Sequence, residues 1–308
     1  MTVSKILKLK SEKADYRSSM IESKSVGSII ADIVLIIILL IIAFVCTIPL
    51  WHSLMSSLSN GQLLFGHDGL VVWPIGEPTL EGYRLILQDN NIIRGYTNTL
   101  IYVAGNIAAG FVLNTLGGYV LSRKTKLKSL LTIFVVFTML FSGGIVPLYM
   151  VVRSLGMVGT RWALILPHCT NGAFIVMMIK AFDSVPEETV ESARIDGAGH
   201  IRVMFQIMLP QCFNFALVTM VNTGIIAWNA WMSAAIYVPT DKSRWPLQLW
   251  VRDIVARNQD FLNWTNPDFN RYLVQYSVII LATLPLLLLF PFFLKRLEKG
   301  MAKGAVKG

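Results

Sequence analysis

Five carboxylates, Asp183, Glu187, Glu188, Glu191 and Asp196, stand close together in a chain that is otherwise basic, and only Arg194 and Arg202 offset them, a local net charge of −3. Acids gathered on one short segment form a surface suited to a basic groove on another protein; a solvated loop is the plainer reading of the same charges. What must position them is helix. Ser184 with Glu187 three residues later reads as a capping box, Pro186 suits a first helical turn, and the glutamates sit at the positive end of the helix dipole. The pattern predicts a helix to about Asp196 and a break at Gly197. A second helix follows with Ile201, Met204, Phe205 and Met208 at helical spacing, until Pro210 stops it. Residues 182–210 thus read as two short helices at an angle.

The rest of the chain sets where this pair can sit. With 308 residues, 54% of them hydrophobic, and a mean hydropathy of +0.59, it is too apolar for a soluble domain. Six apolar stretches are each near the ~20 residues that a bilayer core requires, so the expected fold class is all-α and polytopic with six transmembrane helices. They run 29–51, 98–121, 130–152, 162–181, 212–238 and 272–294. On this topology 18 of the 27 Lys and Arg fall on the side of the acidic segment and both termini, and nine on the other. The positive-inside rule makes the first side cytoplasmic. It also accounts for the net charge of +9 without nucleic acid. Residues 1–28 form a basic cytoplasmic segment, 29–294 the membrane domain and 295–308 a cytoplasmic tail. The first apolar run is too long for a cleaved signal peptide and should remain as an anchor; with no polar stripe, it belongs at the periphery. Cys46, Cys169 and Cys212 are isolated in or beside apolar stretches and read as packing residues.

The fifth span carries the clearest polar face, with Thr219, Asn222, Asn229 and Ser233 on one side of a continuous helix. This stripe is either a path for a hydroxylated solute or hydrogen bonding between helices. Ala104, Ala108, Gly110 and Gly118 in the second span predict close helix packing. Gly143, Gly144, Pro147 and Pro167 predict bends around a cavity in spans three and four. The stretch 52–91 is too broken for a domain and is expected to cap the bundle. Trp245, Trp250 and Trp264 suit an interfacial aromatic belt, with stacking on sugar rings as the other reading.

Glu191, Ser192 and Ala193, then Gly197, Ile207, Leu209 and Pro210, resemble the EAA loop of ABC importer permeases, EAA-x3-G-x9-I-x-LP, departing only at Ser192. From the second span to the end, including Pro246–Gln248 and Trp228–Asn229, the chain resembles carbohydrate-uptake permeases of the maltose-permease type; the likeness is weakest before residue 80. This resemblance implies a type I importer fold and a bacterial plasma-membrane location. It also implies ATPase docking through Glu191, Ser192, Ala193, Gly197, Ile207, Leu209 and Pro210, to which the charge reading adds Glu187, Glu188 and Asp196. The implied partners are a second permease in a heterodimer, two cytosolic ATPase subunits that bind ATP and magnesium, and an extracytoplasmic binding protein delivering oligosaccharides or related glycosides. It further implies a C-terminal tail reaching between the ATPases, where composition alone would predict fraying. The chain itself carries no GxxxxGK[ST], no histidines at metal-ligand spacing and no nucleophile–base pair, so it is expected to be neither an enzyme nor a cofactor or metal binder. An ion-coupled secondary transporter is the alternative. It would need ionisable residues or an ion site at membrane depth; inside the edges marked by Asp32 and Lys180 the spans carry no Asp, Glu, Lys or Arg, which leaves only a sodium site built from backbone carbonyls.

Overall fold

The computed structural model describes residues 26–123, 125–260 and 269–305, and every regular element among them is helical. The basic N-terminal segment and Trp264 lie outside the described residues. Residues up to Ser53 and those from Leu54 onward form two units. The first contains most of α1 (Val26–Ser57), whose large apolar side chains from Ile29 to Val45 are exposed, as a lipid-facing helix requires.

The second unit is built on α4 (Asn90–Ser122), 33 residues or ~50 Å long. It packs against α8 (Gly172–Asp183) and α11 (Phe213–Trp228). A Cβ at Gly110 would run into the carbonyl oxygen of Cys169, and one at Gly118 into Met178. The small residues of this span are there so that backbones can approach, as their spacing predicts.

Three of the six expected spans are interrupted. The segment 130–152 divides into α5 (Lys128–Leu140) and α6 (Ile145–Ser154), which meet at 118° where Gly144 has φ 84°. At 13 residues α5 is ~20 Å long, short of a ~30 Å hydrocarbon core. The stretch 162–181 is α7 (Trp162–His168), ending in a 3-10 turn around Pro167, and then α8 at 50° to it. The stretch 212–238 is α11, a break at Asn229 and Ala230, and α12 (Trp231–Tyr237). Only α1, α4 and residues Tyr272–Phe293 of α14 (Phe269–Ala305) are single helices long and apolar enough to cross a membrane; the bent pairs raise the number of candidate spans to as many as six. The last helix continues through Gly300 to Ala305, so the basic tail extends α14 up to that point.

Breaks release backbone groups that a membrane cannot solvate, and side chains of α4 and α11 claim several of them. Pro285 inside α14 has no N–H to give the carbonyl of Leu281; Tyr96 Oη donates to that carbonyl at 2.5 Å, and Trp228 Nε1 donates to the next one, Ala282, at 3.1 Å. At the α7 turn Asn106 donates to the carbonyl of Leu164 at 3.1 Å. Near the start of α4, Asn98 donates to the carbonyls of Ser243 and Trp245, and the hydroxyl of Thr99 accepts from the N–H of Leu247, the first residue of α13 (Leu247–Asp260). In that loop the Ser243 hydroxyl donates to Asp241 and, with the Ser243 N–H and Arg244, holds its carboxyl below the usual range. Trp245 and Trp250 are buried there, 4.8 Å apart, beneath Lys242. They are core residues, neither an exposed belt nor an open sugar platform.

Residues 61–88, with α2 (Gly61–Phe65) and α3 (Glu81–Gln88), lie along α14, joined through Phe65 with Phe269 and Tyr272 and through a Leu64–Val71–Leu273 cluster. Having no core of its own, this stretch depends on that helix.

Candidate functional site

The acidic segment folds as α9 (Glu187–Ile195) and α10 (His200–Gln211), two helices separated at Gly197 as expected from the sequence. Its start differs from the expectation. Ser184 donates to the carbonyl of Ala181 as the C-cap of α8, and Pro186 is the N-cap of α9 with no side-chain cap, so no capping box forms. The preceding helix ends too close to Ser184 for its hydroxyl to turn forward. The stop after α9 is as predicted. Gly197 has φ 79°, its N–H bonds to the Arg194 carbonyl at 3.0 Å, and the N–H of Ala198 bonds to that of Ala193 at 2.9 Å, a complete Schellman closure.

Pro210 does not stop α10. Residues Val203–Met208 form a π-helical stretch directly ahead of it, and this wider turn admits a ring that an α-turn would exclude. The chain turns instead at Cys212, where α10 and α11 meet at 87°.

The ten predicted docking residues divide by burial. Ala193 and Leu209 are buried and Ile207 half-buried, in a cluster with Met178, Phe182, Val190, Met204, Met208 and Ala216 from α8 to α11. Glu187, Glu188, Glu191, Ser192, Asp196, Gly197 and Pro210 are exposed. The motif is therefore half anchor and half surface. Glu188, Glu191 and Asp196 have no ion-pair partner among the described residues, whereas Asp183 lies 3.8 Å from Lys128.

Sequence reasoning missed the apolar part of this surface. Ile195 is 86% and Ile201 73% exposed, and Phe205 is exposed too, while Met204 and Met208 are buried. One face had been expected to hold all four apolar residues of α10. The spacing instead separates into two pairs, Ile201 with Phe205 outward and Met204 with Met208 inward. Gly199, His200, Ile201, Arg202, Phe205 and Gln206 line a shallow depression of about 640 Å³. Large aliphatic groups left bare beside unpaired carboxylates have the character of an unoccupied protein interface.

The four residues of the fifth-span stripe do not stay together, because the helix ends at Trp228. Thr219 is buried and its hydroxyl donates to the Ala216 carbonyl. Ser233, on α12, lies 2.8 Å from His168 Nε2, tying the break in one span to the break in another. Asn222 and Asn229 remain exposed, each donating to the carbonyl four residues back, which leaves the amide oxygen free. Among the described residues no cluster of His, Cys, Asp or Glu could hold a metal.

The family described as binding-protein-dependent transport system inner membrane component matches residues 92–303. The polygalacturonan/rhamnogalacturonan transport system permease YtcP of Bacillus subtilis is 31% identical over 88% of this chain and 96% of its own. The maltodextrin transport system permease MdxG of the same organism is 26% identical over 76% and 82%. A chain of a bacterial ABC transporter involved in the import of the acidic polysaccharide alginate superposes with a TM-score of 0.79 at 22% identity, covering 89% of this chain and 99% of that one.

Gly197 needs its left-handed φ and not space, since nothing lies within 4 Å of a Cβ built there. A β-branched residue at that φ costs about 1–3 kcal/mol. Gly197→Val should therefore open the turn and speed tryptic cleavage after Arg194 several-fold in the membrane-inserted protein. Gly199→Ala, at φ −70° with open surroundings, should cleave at the original rate. Equal rates for the two variants would contradict the conformational role.

Proposed function

Because this chain belongs to the family of binding-protein-dependent transport system inner membrane components, we propose that it is the pore-forming permease subunit of an ATP-driven importer for oligosaccharides or related glycosides. The chain itself is not an enzyme. In this reading it sits in a bacterial cytoplasmic membrane with both termini and the α9–α10 pair on the cytoplasmic side. It pairs with a second permease in a heterodimer above two ATPase subunits, which hold the ATP and magnesium, and receives its solute from an extracytoplasmic binding protein. The single observation that carries the docking role is the exposed mixture of unpaired Glu188, Glu191 and Asp196 with bare Ile195, Ile201 and Phe205 on a bent pair whose other face is buried in the bundle. Carboxylates steer a basic groove into register, and the aliphatic groups gain when that groove closes over them. The sugar class is supported by the relatives that transport polygalacturonan/rhamnogalacturonan and maltodextrin.

ATP-driven closure of the ATPases would move α9 and α10, and the 87° bend at Cys212 would pass that movement to α11. The solute path in this reading runs past Asn222 of α11 and Asn229 at the break that follows it; Thr219 and Ser233 serve packing, given their bonds to Ala216 and His168. Amides exchange hydrogen bonds with sugar hydroxyls without the desolvation cost of a charge.

Glu191→Lys should abolish recovery of the ATPase subunits with the purified permease while leaving membrane insertion intact. Glu191→Gln should be mild, since an exposed ion pair contributes only ~0–1 kcal/mol. Full ATPase recovery with Glu191→Lys would remove the docking role. For the path, Asn222→Cys and Asn229→Cys in a background without the native cysteines should react with a small water-soluble thiol reagent, at rates that change on trapping with ADP and vanadate. If both stay unreactive in both states, the path runs elsewhere.

A further inference from the structure

A docking segment that only packs against the spans passes on a push without a defined direction, because apolar contact is non-directional. The segment also has a directional contact. Tyr119 Oη lies 2.9 Å from Nδ1 of His200, the first residue of α10. Tyr119 is 5% exposed in the last turn of α4, and its ring meets three groups from different places in the fold. The edge contact with Phe182 of α8 is at 5.9 Å and 85°, the imidazole of His200 is at 6.1 Å and 74°, and the Arg123 guanidinium is 5.5 Å from the ring centroid. The neighbouring residue Gly118 lies so near Met178 that a Cβ there would clash with it, so α4 and α8 are tightly packed at this level. Tyr119 is therefore held by two spans and reaches the docking segment just past the Gly197 turn, where any displacement of α9 first enters α10.

We propose that Tyr119 is a positioning residue that locks the start of α10 to the end of α4, so that the docking segment and this span move as one body when nucleotide closes the ATPases. The proposal rests on the reading of α9 and α10 as the docking surface. The hydroxyl gives the lock its direction and the ring its stiffness. Removing the hydroxyl alone should leave the resting structure in place, since the ring contacts with Phe182 and His200 remain, and should allow the two elements to slip only under load.

The test uses the full complex with its ATPase subunits, with Cys46, Cys169 and Cys212 changed to Ala and spin labels on cysteines at Leu116 of α4 and Gln206 of α10, both exposed. With wild-type Tyr119 the label-to-label distance distribution should stay narrow and unshifted between the resting and the ADP–vanadate-trapped complex. With Tyr119→Phe or His200→Leu it should match wild type at rest and shift and broaden on trapping, with slippage growing roughly fivefold in population, the size of one lost hydrogen bond. His200→Asn, whose amide reaches the position of Nδ1, should restore the narrow distribution. An unchanged distribution for Tyr119→Phe and His200→Leu in the trapped state overturns the proposal. So does broadening already at rest, which marks a merely structural role, or failure of His200→Asn to rescue. Failure of the docking reading itself is seen separately, as a Gln206 label whose mobility does not change when the ATPase subunits are added.

Discussion

A helix that breaks inside hydrocarbon must have its freed carbonyls and N–H groups paired from elsewhere in the protein, and this constraint shapes the whole bundle. The breaks here are at Gly144, Pro167 and Asn229, and Pro285 frees a carbonyl inside the continuous α14. The long unbroken helix α4 answers many of them. Tyr96, Asn98, Thr99 and Asn106 each reach a backbone group on another element. Its glycines meanwhile bring the bent helices close enough for those bonds to form. Substitution on the polar face of α4 therefore threatens more than the local contact, since an unpaired carbonyl in this setting costs several kcal/mol.

The same helix ends at the α9–α10 segment, where Tyr119 meets His200. Around Phe182 the cluster that holds α9 and α10 draws on α4, α8 and α11, so the exposed surface of Glu191, Ile195 and Ile201 is mounted on three helices of the bundle. Anchor and surface alternate along the chain, with Val190 and Ala193 inward, and Glu191 and Ile195 outward. The π stretch before Pro210 and the bend at Cys212 complete the mounting, because they turn a surface helix directly into a span.

Much of this was legible in the sequence where the signal is local. The Gly197 turn, the apolar composition of the spans and the small residues of α4 each follow from one residue type at one spacing. What was not legible depends on tertiary pairing. The fifth-span stripe looked continuous because helical periodicity ignores the break at Asn229, beyond which α12 packs separately and Ser233 meets His168. Trp245 and Trp250 looked like surface aromatics until the loop from Asp241 folded them under α4. Ser184 fits a capping box by spacing, but the preceding helix claims it first. Ile195 stands among charges in a polar segment, and that isolation was the available signal for an interface residue.

The central claim is that residues of α9 and the start of α10 form the surface that the ATPase covers. Hydrogen–deuterium exchange on the purified permease pair, measured with and without the ATPase subunits, addresses it directly. The account predicts slower exchange across residues 187–206 in the full complex, with little change at Met178, Ile179, Ala181 and Phe182, which are already buried. Unchanged exchange across 187–206, with new protection appearing elsewhere on the chain, would contradict it.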